Sequence, residues 1–150
     1  MRGITSHIGS DFDSFSSMVA ASKLYDESTL CFSGAACRNL REFLKRFGNR
    51  WRVLPPRRIN LDDIDHLVVV DARSKSRIGP FGSICGREGV VTHVYDHHPP
   101  VNDEIPAERF LIEPVGSTTT LLVERLIALG IPIQPFEATL FTMGIYEDTG

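Results

Sequence analysis

The sequence predicts an α/β fold with a mainly parallel sheet flanked by helices. Short apolar runs alternate with segments of helical periodicity, the pattern of strand–helix–strand units. One run, His66-Leu-Val-Val-Val-Asp71, is nearly continuous, as in a strand covered on both faces. The chain's 150 residues, 42% hydrophobic and 23% charged, suit one domain with a sizeable core.

The elements follow in order. Arg2 to Ser6 reads as a first strand anchored by Ile4. Asp11 to Ser17 reads as a polar turn, followed by a helix to about Tyr25, with Phe15, Met18, Val19 and Leu24 near helical spacing. Thr29 to Ser33 reads as a strand. Arg38 to Phe47 reads as a helix with Leu40, Phe43, Leu44 and Phe47 on one face and Gly48 as its stop. Asn60 to Asp63 is a short turn before the strand His66 to Asp71. Arg73 to Gly89 begins as a loop with room for a short helix. Val90 to Tyr95 is a strand ending at Asp96-His97-His98, and Pro99-Pro100 then forces the chain out of the sheet. Gly116-Ser-Thr118 resembles a helix start, with Thr119 to Leu129 as the helix. Phe136 to Met143 is apolar and helical, leading to Gly144.

Composition narrows the function classes. No apolar run approaches a membrane span, and the N-terminus turns polar at once, unlike a signal peptide. Cys31, Cys37 and Cys85 are an odd number with no C-x-x-C pair, which argues against a disulfide framework and for a reducing, cytoplasmic setting. They are expected to be neither metal ligands nor disulfide partners. The chain stops at Gly-Ile-Tyr-Glu-Asp-Thr-Gly150 without a closing helix, so it is expected to be a fragment of a longer protein. The net charge of −3 argues weakly against a general nucleic-acid binder. Charge is uneven, however. Arg38 to Arg58 holds eight basic residues and one acid, Glu42, a local +7 that leaves −10 for the rest. Phe43, Phe47 and Trp51 interleave with these charges, as where phosphates and bases are gripped. The plainer reading is an amphipathic helix with a solvated basic face and its aromatics in the core.

Chemistry-bearing residues gather where apolar strands stop. They form four clusters: His7 with Asp11 and Asp13; Asp71 after Val68-Val-Val70; Asp96-His97-His98; and Asp148 in Gly144-Ile-Tyr-Glu-Asp148. Open α/β sheets bind ligands outside the carboxyl ends of their strands. Taken singly, each Asp reads as a cap or turn residue, Asp13 as a helix cap above all, and each His as a surface group. Taken together they read as a site. Carboxylate plus imidazole without thiolate suits Mn²⁺ or Mg²⁺, with Fe²⁺, Co²⁺ and Zn²⁺ as further candidates. Eight candidate ligands exceed what one octahedral ion can use while keeping a water. Two ions about 3.5–4 Å apart can share them through one bridging carboxylate.

At these residues the sequence resembles the DHH phosphoesterase superfamily. Its four motifs stand here as Ser6-His-Ile-Gly-Ser-Asp-Phe-Asp13, Val69-Val-Asp71, Tyr95-Asp-His-His-Pro99 and Gly144-Ile-Tyr-Glu-Asp148. Ser10 departs from the proline of many members, at a position that is not a ligand. Ser17 to Tyr25, Asn39 to Leu44 and His93 to Pro100 further resemble the N-terminal DHH module of bacterial proteins that continue through CBS domains into a poly(A)-polymerase or CCA-adding nucleotidyltransferase. The resemblance implies that His7 and Asp11 hold a first ion, that Asp13, His97 and Asp148 hold a second, and that Asp71 bridges them. It implies two Mn²⁺, with Mg²⁺ or Co²⁺ as substitutes. His98 would face the substrate phosphate, and Asp96 would orient its neighbours. Arg73, Lys75 and Arg77 are candidate phosphate contacts, although a solvated loop explains them equally well. The superfamily's second domain, with its glycine- and histidine-rich motif, has no counterpart in residues 1–150.

Three functions compete. The first is a metal-dependent phosphoesterase acting on RNA ends or short oligonucleotides, as part of a larger RNA-processing protein whose downstream domains are its partners. The second is a pyrophosphatase or polyphosphatase using the same metals. The third is a metal- and RNA-binding accessory module of a nucleotidyltransferase, without hydrolysis of its own.

Overall fold

A computed structural model describes residues 1–150. Six strands, β1 (Arg2–Thr5), β2 (Ser28–Cys31), β3 (Val53–Leu54), β4 (His66–Val70), β5 (Val91–Asp96) and β6 (Arg109–Ile112), form one sheet in the order β3-β2-β1-β4-β5-β6. Every pairing is parallel. Strand order reverses direction between β1 and β4, which opens a crevice at their carboxyl ends. Four helices accompany the sheet: α1 (Phe12–Ser22), α2 (Arg38–Phe47), α3 (Thr118–Ala128) and α4 (Pro135–Thr149).

β4 shows why its sequence lacks alternation. Val68 and Val70 face a core built with Phe15, Met18, Leu122 and Phe141, whereas Leu67 and Val69 face a second core with Ile78, Phe81 and Ile105. All four strand residues are fully buried, so both faces select apolar side chains, each contributing about 1.5–3 kcal/mol. The α-helices pack in the first core. The second is covered by the Lys75–Ser83 segment, a 3₁₀ stretch kinked at Gly79.

Three sequence expectations need correction. First, the serine-rich segment 12–17 is helix, not turn. Asp11 accepts a hydrogen bond from the Ser14 N–H at 3.0 Å, and the Ser14 hydroxyl accepts one from the Asp11 N–H at 2.9 Å, so the helix starts at Phe12. Its serines are polar in composition but buried: Ser16 donates to the Leu140 carbonyl at 2.8 Å, and Ser17 bonds Thr119 at 3.2 Å. Second, residues 144–149 continue α4, so Asp148 sits in the last turn of a helix and not at a strand end. Gly144 marks close approach instead of a stop, because a Cβ there would meet Ser16 Oγ at 2.6 Å and Thr119 Oγ1 at 2.9 Å. Third, β3 and β6 were not anticipated. Both are short edge strands that show little periodicity.

Cys31, Cys37 and Cys85 are free thiols, and burial pushes Cys31 up to about 12 and Cys85 up to about 11. Tyr25 bonds His93 Nδ1 at 2.7 Å and the Tyr95 hydroxyl at 2.6 Å, tying the turn after α1 to β5. No helix is long and apolar enough to cross a membrane.

Candidate metal centre

Five segments deliver the candidate ligands to the β1/β4 crevice. The loop after β1 supplies His7 and Asp11, and the first turn of α1 supplies Asp13. Asp71 directly follows β4, β5 ends at Asp96 with His97 and His98 following, and the last turn of α4 brings Asp148. Asp71 is buried and adopts φ 57°, a left-handed conformation that Asp tolerates better than most residues. Its N–H still donates to the Tyr95 carbonyl at 2.9 Å, so the strand ladder sets the position while the turned backbone aims the carboxylate.

The two oxygens of Asp71 face different donor sets. Oδ2 lies 3.4 Å from His7 Nε2, which is 3.9 Å from Asp11 Oδ2. Oδ1 lies 3.6 Å from His97 Nε2, which is 3.2 Å from Asp148 Oδ2 and 3.9 Å from Asp13 Oδ2. Thus His7, Asp11 and Asp71 can converge on one ion, and Asp13, Asp71, His97 and Asp148 on another. Ligand atoms around an octahedral ion with bonds of about 2.1 Å stand about 3 Å apart, slightly closer than these separations.

Hydrogen bonds orient the imidazoles. His7 Nδ1 lies 2.9 Å from the Ile8 carbonyl, and His97 Nδ1 lies 3.0 Å from the Val115 carbonyl. Each Nδ1–H therefore donates to a carbonyl, and each Nε2 lone pair points at carboxylates. His97 Nε2 is buried with no hydrogen-bond partner, an orphan that a cation would satisfy. The carboxylates carry the same signature. Burial, then the charge of Asp71, pushes Asp13 up to about 6, although it accepts hydrogen bonds from the Thr118 and Thr119 N–H groups at 3.0 and 2.9 Å. Burial, then Asp13 and Asp11, raises Asp148. Burial lowers His7, but Asp71, the Ile8 carbonyl and Asp11 together outweigh it and the net shift is upward. These groups repel or share protons until positive charge arrives.

His98 borders the second set, and with Asp71 and His97 it forms a further group close enough to hold an ion. Its Nδ1 is 2.7 Å from Asp96 Oδ1 and 3.8 Å from Asp71 Oδ1, and its Nε2 makes no hydrogen bond within the chain. The Asp96 hydrogen bond raises its pKa, with burial opposing. His98, Arg73 and Arg77 line a shallow cavity of about 140 Å³. Lys75 is exposed and lies outside that lining. Arg73 is largely spoken for, since it bonds the Glu104 carboxylate and donates to the His98 carbonyl at 3.0 Å.

A match to the DHH family N-terminal domain runs over residues 3–145. The chain belongs to the DHH family. DHH proteins are metal-dependent phosphoesterases, and the donor chemistry of this crevice fits a divalent cation. A tRNA A-adding nucleotidyltransferase of Geobacter sulfurreducens is 43% identical over 151 residues, covering 100% of this chain and 17% of the relative. A protein of the same name from Aquifex aeolicus is 37% identical over 142 residues, covering 95% of this chain and 16% of its own length. The chain thus spans about a sixth of these curated relatives. Two solved structures share the fold at low identity. An exopolyphosphatase-related protein from Bacteroides fragilis superposes with a TM-score of 0.79 at 20% identity, covering 99% of this chain and 46% of the other. A Methanococcus jannaschii protein assigned to the family II inorganic pyrophosphatases gives 0.71 at 22%, covering 99% and 49%.

Three residues of this DHH chain escaped sequence reasoning. Thr118 donates its hydroxyl to Asp71 Oδ1 at 3.0 Å as well as its N–H to Asp13. Thr119 adds the second N–H on Asp13. Glu147 accepts the Phe12 N–H at 2.5 Å and so holds the start of α1, where Asp11 and Asp13 stand. The Gly116-Ser-Thr118 cap signal was visible, but its use by Asp13 from a helix 105 residues away was not.

Proposed function

We propose that this chain is a divalent-metal-dependent phosphoesterase domain that hydrolyses phosphodiester bonds at RNA ends or in short oligonucleotides. It would work within a larger cytoplasmic, poly(A)-polymerase-like or nucleotidyltransferase protein whose downstream domains complete the substrate cleft. The carrying observation is that the two oxygens of one buried carboxylate, Asp71, each face a separate His/Asp set.

His7 and Asp11 hold the first ion in this reading, Asp13, His97 and Asp148 the second, and Asp71 both. Mn²⁺ suits the mixed imidazole–carboxylate set, with Mg²⁺ or Co²⁺ as substitutes. When bound, the cations supply Lewis acidity that activates water near neutral pH and neutralises phosphoryl oxygens. The chain's own residues do the rest. His98, whose pKa the Asp96 hydrogen bond raises, offers its Nε2–H when protonated to a phosphoryl or leaving-group oxygen. Arg77 borders the cavity beside it and adds positive charge for phosphate, whereas Arg73, which also lines it, is paired with Glu104.

Calorimetry with Mn²⁺ in metal-free buffer tests the reading. Wild type should show two sites, and Asp71→Asn should lose both. Intact Mn²⁺ binding in Asp71→Asn would show the bridge assignment to be wrong. Turnover of short oligoadenylates, pyrophosphate and polyphosphate under the same Mn²⁺ separates the substrates. Diester cleavage is expected, pyrophosphate cleavage alone would replace this reading with a pyrophosphatase, and metal binding without any turnover would replace it with an accessory module.

A further inference from the structure

All eight basic residues between Arg38 and Arg58 are exposed. Helical spacing places Arg38, Arg41, Lys45 and Arg46 on the outer face of α2, opposite Leu40, Phe43, Leu44 and Phe47. Arg52 directly precedes β3, and Arg57 and Arg58 lie in the turn after it. Only Lys45 has an acidic partner, Glu42 at 2.7 Å. The side chains of Arg38, Arg46, Arg52, Arg57 and Arg58 make no hydrogen bond or ion pair within the chain, although the rest of the molecule carries −10. Uncompensated charge of one sign, collected on one face, attracts the opposite sign.

The face reaches the metal crevice. The Cys37 N–H at the start of α2 donates to the Ser10 carbonyl at 2.8 Å, and the Gly9 N–H donates to Ala35 at 3.0 Å, tying this end to the loop that carries His7 and Asp11. β3 runs parallel to β2 and returns to the same edge, where the Phe32 N–H donates to Leu54 at 3.0 Å just before Pro55 and the Pro56–Arg58 turn. Between them lies a groove of about 420 Å³ lined by Phe32, Ala36, Arg41, Leu44 and Lys45.

The aromatics do not serve as base platforms. Phe43, Phe47, Trp51 and Phe136 pack on one another with centroids 5.1–6.4 Å apart. The surface therefore offers charge without stacking, which reads phosphates and not bases. An acidic protein fits less well. A protein interface needs an exposed apolar centre, and the groove's apolar residues, Phe32, Ala36 and Leu44, are half-buried or buried, whereas the exposed large hydrophobics, Ile8, Ile127, Leu129 and Tyr146 among them, all lie outside residues 38–58.

We propose that this face, from α2 to the Pro56–Arg58 turn, is a phosphate track that holds single-stranded RNA, independent of base sequence, with the strand's end directed to the metal crevice. The direction of the strand rests on the phosphodiesterase reading, whereas the binding does not.

The test is anisotropy of a short fluorescent oligoadenylate against salt in the intact protein. Arg38→Glu/Arg57→Glu/Arg58→Glu should weaken binding by about tenfold or more at low salt and lower the log–log salt slope by about 2, at ~0.7 per phosphate. The matching Lys triple should keep the wild-type slope. Asp71→Asn should keep RNA affinity while losing Mn²⁺. An unchanged slope in the Glu triple, or polyglutamate competing as well as RNA, overturns the track. If the Glu triple fails to fold by circular dichroism, the Gln triple reads the same slope. Hydrolysis of a small aryl phosphodiester should survive in the Glu triple. If wild type cleaves no diester yet the triple loses RNA, the phosphodiesterase reading falls and the track stands.

Discussion

Asp71 joins the two candidate ligand sets, because its backbone is left-handed and its two carboxylate oxygens face one set each. This makes the choice of variant informative. Asp71→Asn keeps a side chain that tolerates positive φ, so metal-free stability should hold near wild type while Mn²⁺ binding is lost. Asp71→Ala should lose metal and also melt earlier, by about 1 kcal/mol of backbone strain. Equal melting of the two in metal-free buffer would remove the strain from this account. Asp13 and His98 should also part company. Asp13→Asn sets an NH₂ group against the Thr118 or Thr119 N–H, costing about 1–3 kcal/mol as well as the second ion. His98→Ala touches no helix terminus, so Mn²⁺ affinity should stay near wild type while turnover falls about 10²-fold. Parallel measurement of turnover and Mn²⁺ affinity checks the division, and equal metal loss in both variants would end it. The residue types and their roles as candidates were legible in the motifs. The left-handed turn at Asp71 was not, since no local signal separates it from an extended strand end.

At the scale of elements, the candidate ligands double as helix caps. Asp11 caps α1, Asp13 caps α3 across the core, and Glu147 of α4 holds the start of α1. Taken singly, Asp13 reads as a cap of the helix beside it; besides standing among the candidate ligands it does cap a helix, but that helix is α3. Glu147→Ala should cost about 1 kcal/mol, as for a lost N-cap, and weaken Mn²⁺ binding without removing a donor. Glu147→Gln, which keeps an acceptor oxygen, should recover most of both. Calorimetry and thermal melts decide this, and unaltered Mn²⁺ affinity in Glu147→Ala would deny Glu147 any positioning role. Packing of α1, α3 and α4 depends on Gly144, where a Cβ would meet Ser16 Oγ at 2.6 Å and Ser16 Cβ at 2.8 Å. Gly144→Ala should therefore destabilise by about 1–3 kcal/mol through overpacking, and it should tilt Asp148 away from His97. Here the sequence misled for a physical reason: buried serines and a close-contact glycine look like turn residues until the neighbouring helix is seen.

For the whole molecule, the buried carboxylates and imidazoles of the candidate metal centre link stability to pH. Asp13 at about 6, against an ordinary 3.8, means the folded chain keeps a proton that the unfolded chain has already released. Stability therefore falls as pH rises through that window, by about 3 kcal/mol in metal-free protein. Raised Asp148 and Glu147 act in the same direction. Raised His7 and His98 contribute stability that is full below the ordinary histidine range and lost as pH climbs through their folded values. Burial holds His66 and His93 low, which pulls the other way with or without metal. The difference in melting temperature between Mn²⁺-loaded and chelated protein isolates the cluster. It should grow from pH 5 to pH 8 by about 10 °C, and a difference independent of pH would contradict the linkage. Strand periodicity and the four motifs were enough to read a parallel α/β sheet with carboxylates and imidazoles at its carboxyl edge, because each depends on residues close in the chain. The reversal of strand order at β1 and β4, the capping of α3 by Asp13 and the helical seat of Asp148 came only from the tertiary structure. Each depends on contacts between segments roughly 50 to 105 residues apart, whose partners no local pattern names.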